Sequence, residues 1–596
     1  MDTIILKLIK KQMQNRGITQ QMLCQGLCSE TAMFRYLNQK QKPDRLTFNA
    51  MLQRLGVSPD SIVTLESAEE YAYFQWKMRI LRSMNQSEWN KVQELLDIAE
   101  EKKALNPVLQ KQFIKIVEGM LALELLQDRE KAAACFVEAI QMTHKDYVYE
   151  TEYRFLLMSN QDWCAVLNLL RLEQKTQSRC VVQALQNIIY QLEKYPLDEQ
   201  EQVKIYPYAL YLLAGCYFME ERYSSCEKLC QKAILMLREQ CVLGNLPELM
   251  EYSIGCKRIL QNAAALDKEL QQLEAMQYVL QNYPINREWL ILPLMENGQE
   301  IQLYEKMIVQ KRKELGLSQQ KLCENICSVR TLRNIEAGKA ASGNYILKLL
   351  LERLEIPASY WKCDIITMDF YVLDLYRKLK NLVARAEERD IDTYLEELKL
   401  HLDQSVLVNR QWLLFYEGLL EYERGNLTKE EYREYIISVL RLSIPQFSMD
   451  KIGTYQLNNA EILLLIQLAR AYEYEEKFDE AILLLQELRC YFKKQEVAFD
   501  YQYQNRILIL YNLAAYYAQT EQYEKSARLM TKVIEKQVYA HRTVILPRAM
   551  MGVAYAHLQT GFLQEAKEMY YMAALLGELF YLDDVAAVSW SMVEEL

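Results

Sequence analysis

The sequence predicts an all-α protein built mainly from paired helices. Only 17 Gly and 11 Pro occur among 596 residues, and Leu, Glu, Gln, Lys and Tyr are abundant. Apolar residues recur at spacings of three and four along most of the chain, and no segment shows the sustained alternation of a half-buried strand. At roughly 150 residues for each domain, a chain of this length is expected to hold about four domains.

Two segments of the chain share one pattern. Shifting the sequence by 299 positions aligns Gly17, Gln20, Gln21, Leu23, Cys24, Cys28, Ser29, Lys40, Arg54 and Leu55 with Gly316, Gln319, Gln320, Leu322, Cys323, Cys327, Ser328, Lys339, Arg353 and Leu354. Farther along, Leu210, Tyr211, Leu213, Ala214, Tyr217 and Tyr223 align with Leu510, Tyr511, Leu513, Ala514, Tyr517 and Tyr523 at a shift of 300. These matches predict an internal duplication.

Each half is expected to contain a short N-terminal domain followed by helical repeats. The predicted domains are 1–62, 67–299, 300–360 and 367–596. In the repeats, Ala132, Phe136 and Ala139 have the small-and-aromatic spacing typical of the second helix of a tetratricopeptide repeat. The small residues Ala481, Ser526 and Ala566 recur in the second half at intervals longer than the standard repeat. One such hairpin is unstable alone, so a stack of hairpins is expected.

Residues 316–339, GLSQQKLCENICSVRTLRNIEAGK, predict two short helices joined by a tight turn. Ser318 is placed to cap the first helix and Ser328 the second, because a serine oxygen can accept a hydrogen bond from a free N–H group in the first turn. Gly338 is placed to end the second helix. The outer face of this second helix is expected to carry Val329, Arg330, Arg333 and Asn334.

These residues resemble the Xre-type helix-turn-helix regulators, which share a Gly-Leu-Ser-Gln opening and an Ile-Glu-x-Gly-Lys ending. The turn, NICS, is one residue shorter than the commonest form and is similar to that of peptide-sensing regulators of the Rgg and PlcR type. The resemblance covers about sixty residues. It implies a sequence-specific DNA-binding regulator whose contacts to DNA come from Ser318, Gln319, Val329, Arg330, Thr331, Arg333, Asn334 and Lys339.

The chemistry of the outer face fits DNA recognition. Arg330 and Arg333 suit guanine O6 and N7 or phosphate, and Asn334 suits adenine or phosphate. The family resemblance implies that Gln319 binds the DNA backbone. The alternative for each residue is an ordinary solvated side chain.

The first copy of the pattern is less cationic on the same face. Thr31 and Phe34 stand where the second copy has arginines, and the candidate DNA contacts of this copy are Gln20, Thr31, Arg35 and Lys40. The ion pair that the resemblance implies between Arg312 and Glu336 is replaced by Met13 and Leu37. Replacing both partners of a buried pair is tolerated far better than replacing one. The first copy is therefore expected to fold.

Charge is unevenly distributed along the chain. The net charge is −10, yet residues 1–60 carry nine Lys/Arg against four Asp/Glu, and residues 300–359 carry ten against seven. Basic modules on an acidic body suit DNA binding, because contact with phosphates requires cations. Ordinary fluctuation of composition is the alternative explanation.

No catalytic or metal-binding pattern is visible. The four histidines do not pair with Cys, Asp or Glu at the spacing of a triad or a metal site, and no glycine-rich phosphate loop occurs. The 14 cysteines are interpreted mainly as reduced core thiols, as at Cys216, Cys226 and Cys230. We therefore expect no enzyme activity, no cofactor and no metal. A cytoplasmic location is expected, because no secretory signal or membrane-spanning run is present.

The leading hypothesis is a transcriptional regulator whose repeats sense a signal, with a short peptide as the candidate ligand. Candidate peptide contacts are amide and guanidinium side chains on the first helices of repeats: Asn458, Asn459, Gln467, Asn505, Arg506 and Asn512. The expected assembly is an intramolecular pseudo-dimer on double-stranded DNA, with a homodimer as the alternative. A rival hypothesis is a scaffold that binds proteins and uses its helix-turn-helix domains only for dimerisation.

Overall fold

The computed structural model describes the chain except for residues 1–2, 39, 99–105, 146–156, 175–178, 261–265, 296–299, 340–343, 355–358, 362–364, 366, 368–370, 373–374, 377, 380–381, 383–390, 456, 458 and 495–502. What is described is predominantly helical, which confirms the predicted fold class. The chain divides into two compact units. The first unit comprises residues 1–360, 537–544 and 579–581, and the second comprises the other residues from 361 onward.

The helices of residues 1–360 are Thr3–Arg16, Gln20–Cys24, Glu30–Leu37, Arg45–Arg54, Ala68–Asn85, Trp89–Asp97, Pro107–Glu124, Arg129–Thr143, Asn160–Gln174, Arg179–Lys194, Glu199–Met219, Tyr223–Glu239, Leu246–Ile259, Leu266–Asn282, Tyr304–Glu314, Gln319–Cys323, Val329–Glu336 and Asn344–Arg353. Those of residues 361–596 are Ile391–His401, Leu407–Glu423, Lys429–Arg441, Asn459–Tyr474, Phe478–Lys494, Tyr503–Gln519, Tyr523–Tyr539, Leu546–Gln559, Leu563–Leu579 and Asp583–Glu595. Short 3-10 turns occupy Pro59–Ser61, Leu292–Leu294 and Met449–Thr454.

Three short strands form a small sheet that the sequence did not predict. Ile62–Glu66 is the central strand, with Glu300–Leu303 on one side and Ser359–Trp361 on the other. The first two run parallel, and the register pairs Val63 with Glu300 and Glu66 with Leu303. Strands of three to five residues are too short to show an alternating pattern, which explains why they were missed.

The two halves of the chain place their helices in register. Gln20–Cys24 corresponds to Gln319–Cys323 at the shift of 299, and Tyr223–Glu239 corresponds to Tyr523–Tyr539 at the shift of 300. Equivalent left-handed residues, Glu221 and Glu521, precede the second pair, with φ angles of 58° and 59°. The internal duplication itself stays a prediction.

Small residues lie where the helices of a hairpin cross. The predicted positions Ala132, Phe136 and Ala139 are fully buried, as are Ala481, Ser526 and Ala566. A Cβ at Gly119 would lie 3.0 Å from the Phe136 ring, and the equivalent Gly418 is still closer to Tyr435. Two helices can approach this closely only where one side chain is missing, so these glycines belong to the hairpin pattern.

The first helix-turn-helix segment packs against the repeats of its own unit. Gly26 lies in the turn between the helices Gln20–Cys24 and Glu30–Leu37 and adopts φ +71°. A Cβ at this position would lie 2.2 Å from the Thr143 carbonyl oxygen. Arg54 donates hydrogen bonds to the Leu23 and Gln25 carbonyls, and its Nη2 lies 3.9 Å from the Asp162 carboxylate. Both charged side chains are fully buried, so this contact fixes the domain in place.

Asp162 is the centre of a buried polar cluster. Its Oδ2 lies 3.5 Å from His144 Nε2, and its Oδ1 accepts hydrogen bonds from Gln112 at 2.7 Å and Thr143 at 2.5 Å. Burial raises the pKa of Asp162, but His144, Arg54 and these hydrogen bonds outweigh it and hold the pKa well below its ordinary value. The fold thus brings together a histidine and an aspartate that do not stand at the spacing of a triad or a metal site in the sequence.

Among the described helices, none combines the length and apolar character needed to cross a membrane.

Candidate DNA-binding site

Both helices of the second helix-turn-helix segment begin as predicted. The Ser318 hydroxyl accepts a hydrogen bond of 3.1 Å from the third N–H of helix Gln319–Cys323, and the Ser328 hydroxyl accepts one of 3.0 Å from the third N–H of helix Val329–Glu336. Gly338 follows the second helix with φ +64°, which confirms its role as the stop. We call Val329–Glu336 the recognition helix.

Apolar side chains anchor the recognition helix. Leu332 and Ile335 are fully buried and pack with Leu322 and Ile308 in one core. Val329 is half-buried and packs against the same core, so its predicted place on the outer face is wrong. The reason is helical periodicity, because a residue three positions before Leu332 shares its face.

A polar network runs from the first helix of the domain to the recognition helix. The Arg312 guanidinium donates to both Glu336 carboxylate oxygens, at 2.7 and 3.3 Å, which confirms the predicted ion pair. Gln319 Nε2 donates to Glu336 at 2.6 Å, and Gln319 Oε1 accepts from Arg333 Nε at 3.1 Å. The sequence did not predict these last two bonds. The network therefore holds Nε of Arg333, which is an exposed residue.

Four candidate side chains on the second copy present charge or an amide to solvent: Arg330, Arg333, Asn334 and Lys339 are all exposed. Ser318 is exposed, but its hydroxyl caps a helix. Gln319 and Thr331 are half-buried, and the Thr331 hydroxyl lies 2.8 Å from the Ser328 hydroxyl. The exposed set is the one suited to contact phosphates and base edges.

The first copy presents a different face. Its candidates Gln20, Thr31, Arg35 and Lys40 are all exposed. Phe34 is also 50% exposed, with Lys40 Nζ 5.7 Å from its ring centroid. Met13 and Leu37 are buried where the second copy has its ion pair, as expected. This copy therefore lacks the network that holds Arg333.

The predicted peptide contacts lie in varied environments. Asn458 and the side chain of Asn459 lie outside the described residues. Gln467 is buried and donates to the Tyr432 hydroxyl at 2.7 Å, and Asn505 is buried as well. Arg506 is half-buried and donates to the Phe492 carbonyl at 3.2 Å, while Asn512 is half-buried. Gln467 and Asn505 are therefore not on the surface, where side chains that contact a peptide are predicted to lie.

The cysteines do not form a metal centre in the described part of the chain, where no group of three potential ligands is found. Cys226 and Cys230 are buried with their sulfur atoms 4.0 Å apart. Cys180 and Cys490 are exposed, so the interpretation of the cysteines as core thiols is wrong for these two.

Comparison with known proteins identifies the second segment. Residues 308–361 match the helix-turn-helix family HTH_3. Similar solved structures are PlcR of Bacillus thuringiensis in complex with the peptide PapR7 and DNA, the Cut9–Hcn1 hetero-tetramer of the APC/C, and Naa15/Naa10 bound to HypK-THB. PlcR is 17% identical with a TM-score of 0.32, and the match covers 49% of this chain and 98% of PlcR. The other two are each 12% identical. The match to Cut9–Hcn1 has a TM-score of 0.26 and covers 91% of this chain and 99% of the other chain. The match to Naa15/Naa10 has a TM-score of 0.22 and covers 95% of this chain and 78% of the other chain. No curated protein matches the chain. The family match spans the recognition helix and most of its core.

Proposed function

We propose that the chain is a DNA-binding transcriptional regulator that reads DNA through the recognition helix. The observation that carries this proposal is the match of residues 308–361 to a helix-turn-helix family together with the exposed Arg330, Arg333 and Asn334. A guanidinium paired with guanine and an amide paired with adenine are frequent contacts in the major groove. Lys339 adds a cation for phosphate.

We further propose that helix-turn-helix domains alternate with repeat domains within the boundaries 1–62, 67–299, 300–360 and 367–596. In this arrangement the repeats bind a signal, and a short peptide is the ligand class that we favour. A ligand alters DNA affinity only if it binds one arrangement of the chain better than another. We assign the recognition of DNA to the helix-turn-helix domains and the response to the repeats.

The two helix-turn-helix copies cannot recognise the same bases. The second presents Arg330 and Arg333 where the first presents Thr31 and Phe34. A single chain that applies both copies to DNA thus requires an asymmetric operator, whereas a homodimer that uses only the second copy requires a palindrome.

Selection of bound duplexes from random DNA by the full chain tests the proposal. The expected result is an enriched asymmetric site whose enrichment is lost in the Arg330→Ala, Asn334→Ala double variant. The matched variant of the first copy, Thr31→Ala with Arg35→Ala, should still enrich the half bound by the second copy. Enrichment of a perfect palindrome would overturn the pseudo-dimer, and no enrichment at all would overturn DNA recognition.

The rival role as a protein-binding scaffold is favoured by the exposed Phe34 ring of the first copy, because exposed aromatic residues are common at protein interfaces. The same selection separates the two functions. A scaffold enriches no sequence and shows only weak, salt-sensitive retention on DNA.

A further inference from the structure

Two loops at equivalent positions of the sequence pair with each other. The first, residues 240–244, follows helix Tyr223–Glu239, and the second, residues 540–544, follows helix Tyr523–Tyr539. The same shift of 300 relates the residues 210–223 and 510–523 that precede them. Both loops belong to the first compact unit, and we call them the paired loops.

The paired loops have the same backbone conformation. Cys241 and His541 are both left-handed, with φ angles of 49° and 53°. The N–H group of the next residue, Val242 or Arg542, donates to the carbonyl five positions earlier, at 2.9 Å in both loops. Each helix is thus followed by a loop of one shape.

The hydrogen bonds between the paired loops are reciprocal. The Leu243 N–H donates to the His541 carbonyl at 2.9 Å, and the Thr543 N–H donates to the Cys241 carbonyl at 3.0 Å. At the shift of 300, each bond is the counterpart of the other. The interface between two copies of a protein related by a two-fold axis has the same reciprocity. The contact therefore has the local form of a dimer interface, although both sides belong to one chain.

The side chains at the centre of the pairing favour two unlike loops. Val242 lies opposite Arg542 in the antiparallel bridge, and Val242 is only 3% exposed. If two chains paired through copies of the second loop, Arg542 would lie opposite another Arg542. Like charges directly opposite each other destabilise such a pair. The combination of valine and arginine avoids this repulsion.

One residue of the first unit recognises the second loop specifically. Asn85 Nδ2 donates to the Tyr539 carbonyl at 2.9 Å, and Asn85 Oδ1 lies 2.9 Å from His541 Nε2. Asn85 and His541 are both buried. Cys241 stands at the position of His541 in the first loop and has no ring nitrogen for this bond. A copy of the first loop could not replace the second.

The small size of the pairing favours a contact within one chain. A stable interface between separate proteins usually buries about 1,200–2,000 Å² in total, far more than two loops of five residues can supply. Two segments of one chain instead meet at an effective concentration on the order of 1 mM. A contact of this size can therefore persist within a chain even where it would not hold two chains together.

We propose that the paired loops are the internal interface of a pseudo-dimer and that they stay paired while the chain binds DNA. The chain thus supplies its own partner, and one chain occupies one operator. This inference rests on the proposed function in that it names the surface through which the pseudo-dimer is formed.

The test is a disulfide between opposite positions of the full chain, introduced by Val242→Cys with Arg542→Cys. Opposite residues flanked by reciprocal bonds have Cα atoms about 4.5 Å apart, which suits a disulfide. Cys241→Ser removes the neighbouring thiol. Equal amounts of unlabelled and 15N-labelled chain are mixed at about 1 µM and oxidised with diamide, and the linked peptides are weighed. Peptides of one isotope should exceed mixed peptides by about 100-fold or more, given the effective concentration within a chain.

The matched control moves one cysteine by one position, as Val242→Cys with Thr543→Cys in the same background. Neighbouring side chains of an extended segment point to opposite sides, so this pair should link far more slowly. The unmodified chain provides a second measurement that does not depend on the folding of a variant. Its Leu243 and Thr543 N–H groups should be protected from hydrogen exchange, because both are bonded across the pairing.

Three outcomes would overturn the inference about the interface. They are mixed peptides as frequent as unmixed ones, no link between positions 242 and 542, and rapid exchange of both N–H groups in the unmodified chain. The linked chain should bind a selected duplex with an affinity within about threefold of the unmodified chain. Loss of this binding that reduction restores would show that the loops separate on DNA and would also overturn the inference. If the unmodified chain selects no DNA sequence, the proposed function fails, while the isotope result still decides whether the loops pair within one chain.

Discussion

The carboxylate of Glu336 accepts a hydrogen bond of 2.7 Å from Arg312 and so joins the end of the recognition helix to the first helix of its domain. Glu336 and Arg312 side chains are only 8% and 13% exposed, so neither charge is well solvated once its partner is removed. The first copy shows the alternative solution, because Met13 and Leu37 occupy the same two positions as an apolar pair.

Glu336→Leu alone should destabilise the second helix-turn-helix segment by roughly 3 kcal/mol, because Arg312 is left without its counter-charge. The double variant Arg312→Met, Glu336→Leu should recover most of this loss. Hydrogen exchange of residues 304–354 in the full chain reports the local free energy of opening. Equal exchange in the single and double variants would contradict this explanation of the paired difference between the copies.

Asn168→Ala should release residues 284–295, because the Asn168 amide binds both the N–H and the carbonyl of Leu290. The change leaves the buried Leu290 N–H without its partner, at a cost of about 1–3 kcal/mol, while the Leu290 carbonyl keeps the hydrogen bond from the Cys164 thiol at 2.8 Å. Faster hydrogen exchange across residues 284–295 is the expected result. Gln467→Ala is the matched control in the second unit, where it removes one bond to a tyrosine hydroxyl, and it should not change exchange across residues 284–295. Unchanged protection at Leu290 in Asn168→Ala would argue against the role given to this amide.

The raised pKa of Glu70 predicts that the protein loses stability as the pH rises. Burial and the neighbouring Glu66 raise the pKa of Glu70 to about 8, from an ordinary value near 4.5. The folded state therefore holds this proton more tightly than the unfolded state, so the contribution to stability is complete below about pH 4.5 and is lost progressively toward about pH 8. The denaturant concentration at the unfolding midpoint of the unit that contains Glu70 should therefore decrease as the pH is raised from about 4.5 to about 8.

Glu70→Gln should flatten that pH dependence, because a glutamine cannot release the proton. Glu94→Gln, at an exposed glutamate of the next helix, is the control and should retain the slope. An identical pH profile in Glu70→Gln and the unmodified chain would show that another group is responsible.

Local features of the helix-turn-helix segments could be predicted from the sequence because each depends on neighbours a few residues apart. Ser318, Ser328 and Gly338 bound their helices as expected, and Leu332 and Ile335 are buried. Val329 was assigned to the wrong face, since an eight-residue helix gives too few turns to separate a rim position from an exposed one.

Features that depend on distant parts of the chain could not be predicted. The bonds between Asn168 and Leu290 join residues 122 positions apart, and the contact of Arg54 with Asp162 joins a helix-turn-helix segment to a repeat. Neither pair leaves a periodic signal in the sequence.

The salt dependence of DNA binding by the full chain tests the central claim most directly. With a duplex selected by the unmodified protein, Arg330→Ala should weaken binding by about 1–3 kcal/mol if it contacts a base, or reduce the salt slope by about one if it contacts a phosphate. Arg528→Ala, at an exposed arginine of the repeats, should change affinity by less than about 0.5 kcal/mol. Affinity and slope both unchanged in Arg330→Ala would contradict the reading of DNA by the recognition helix.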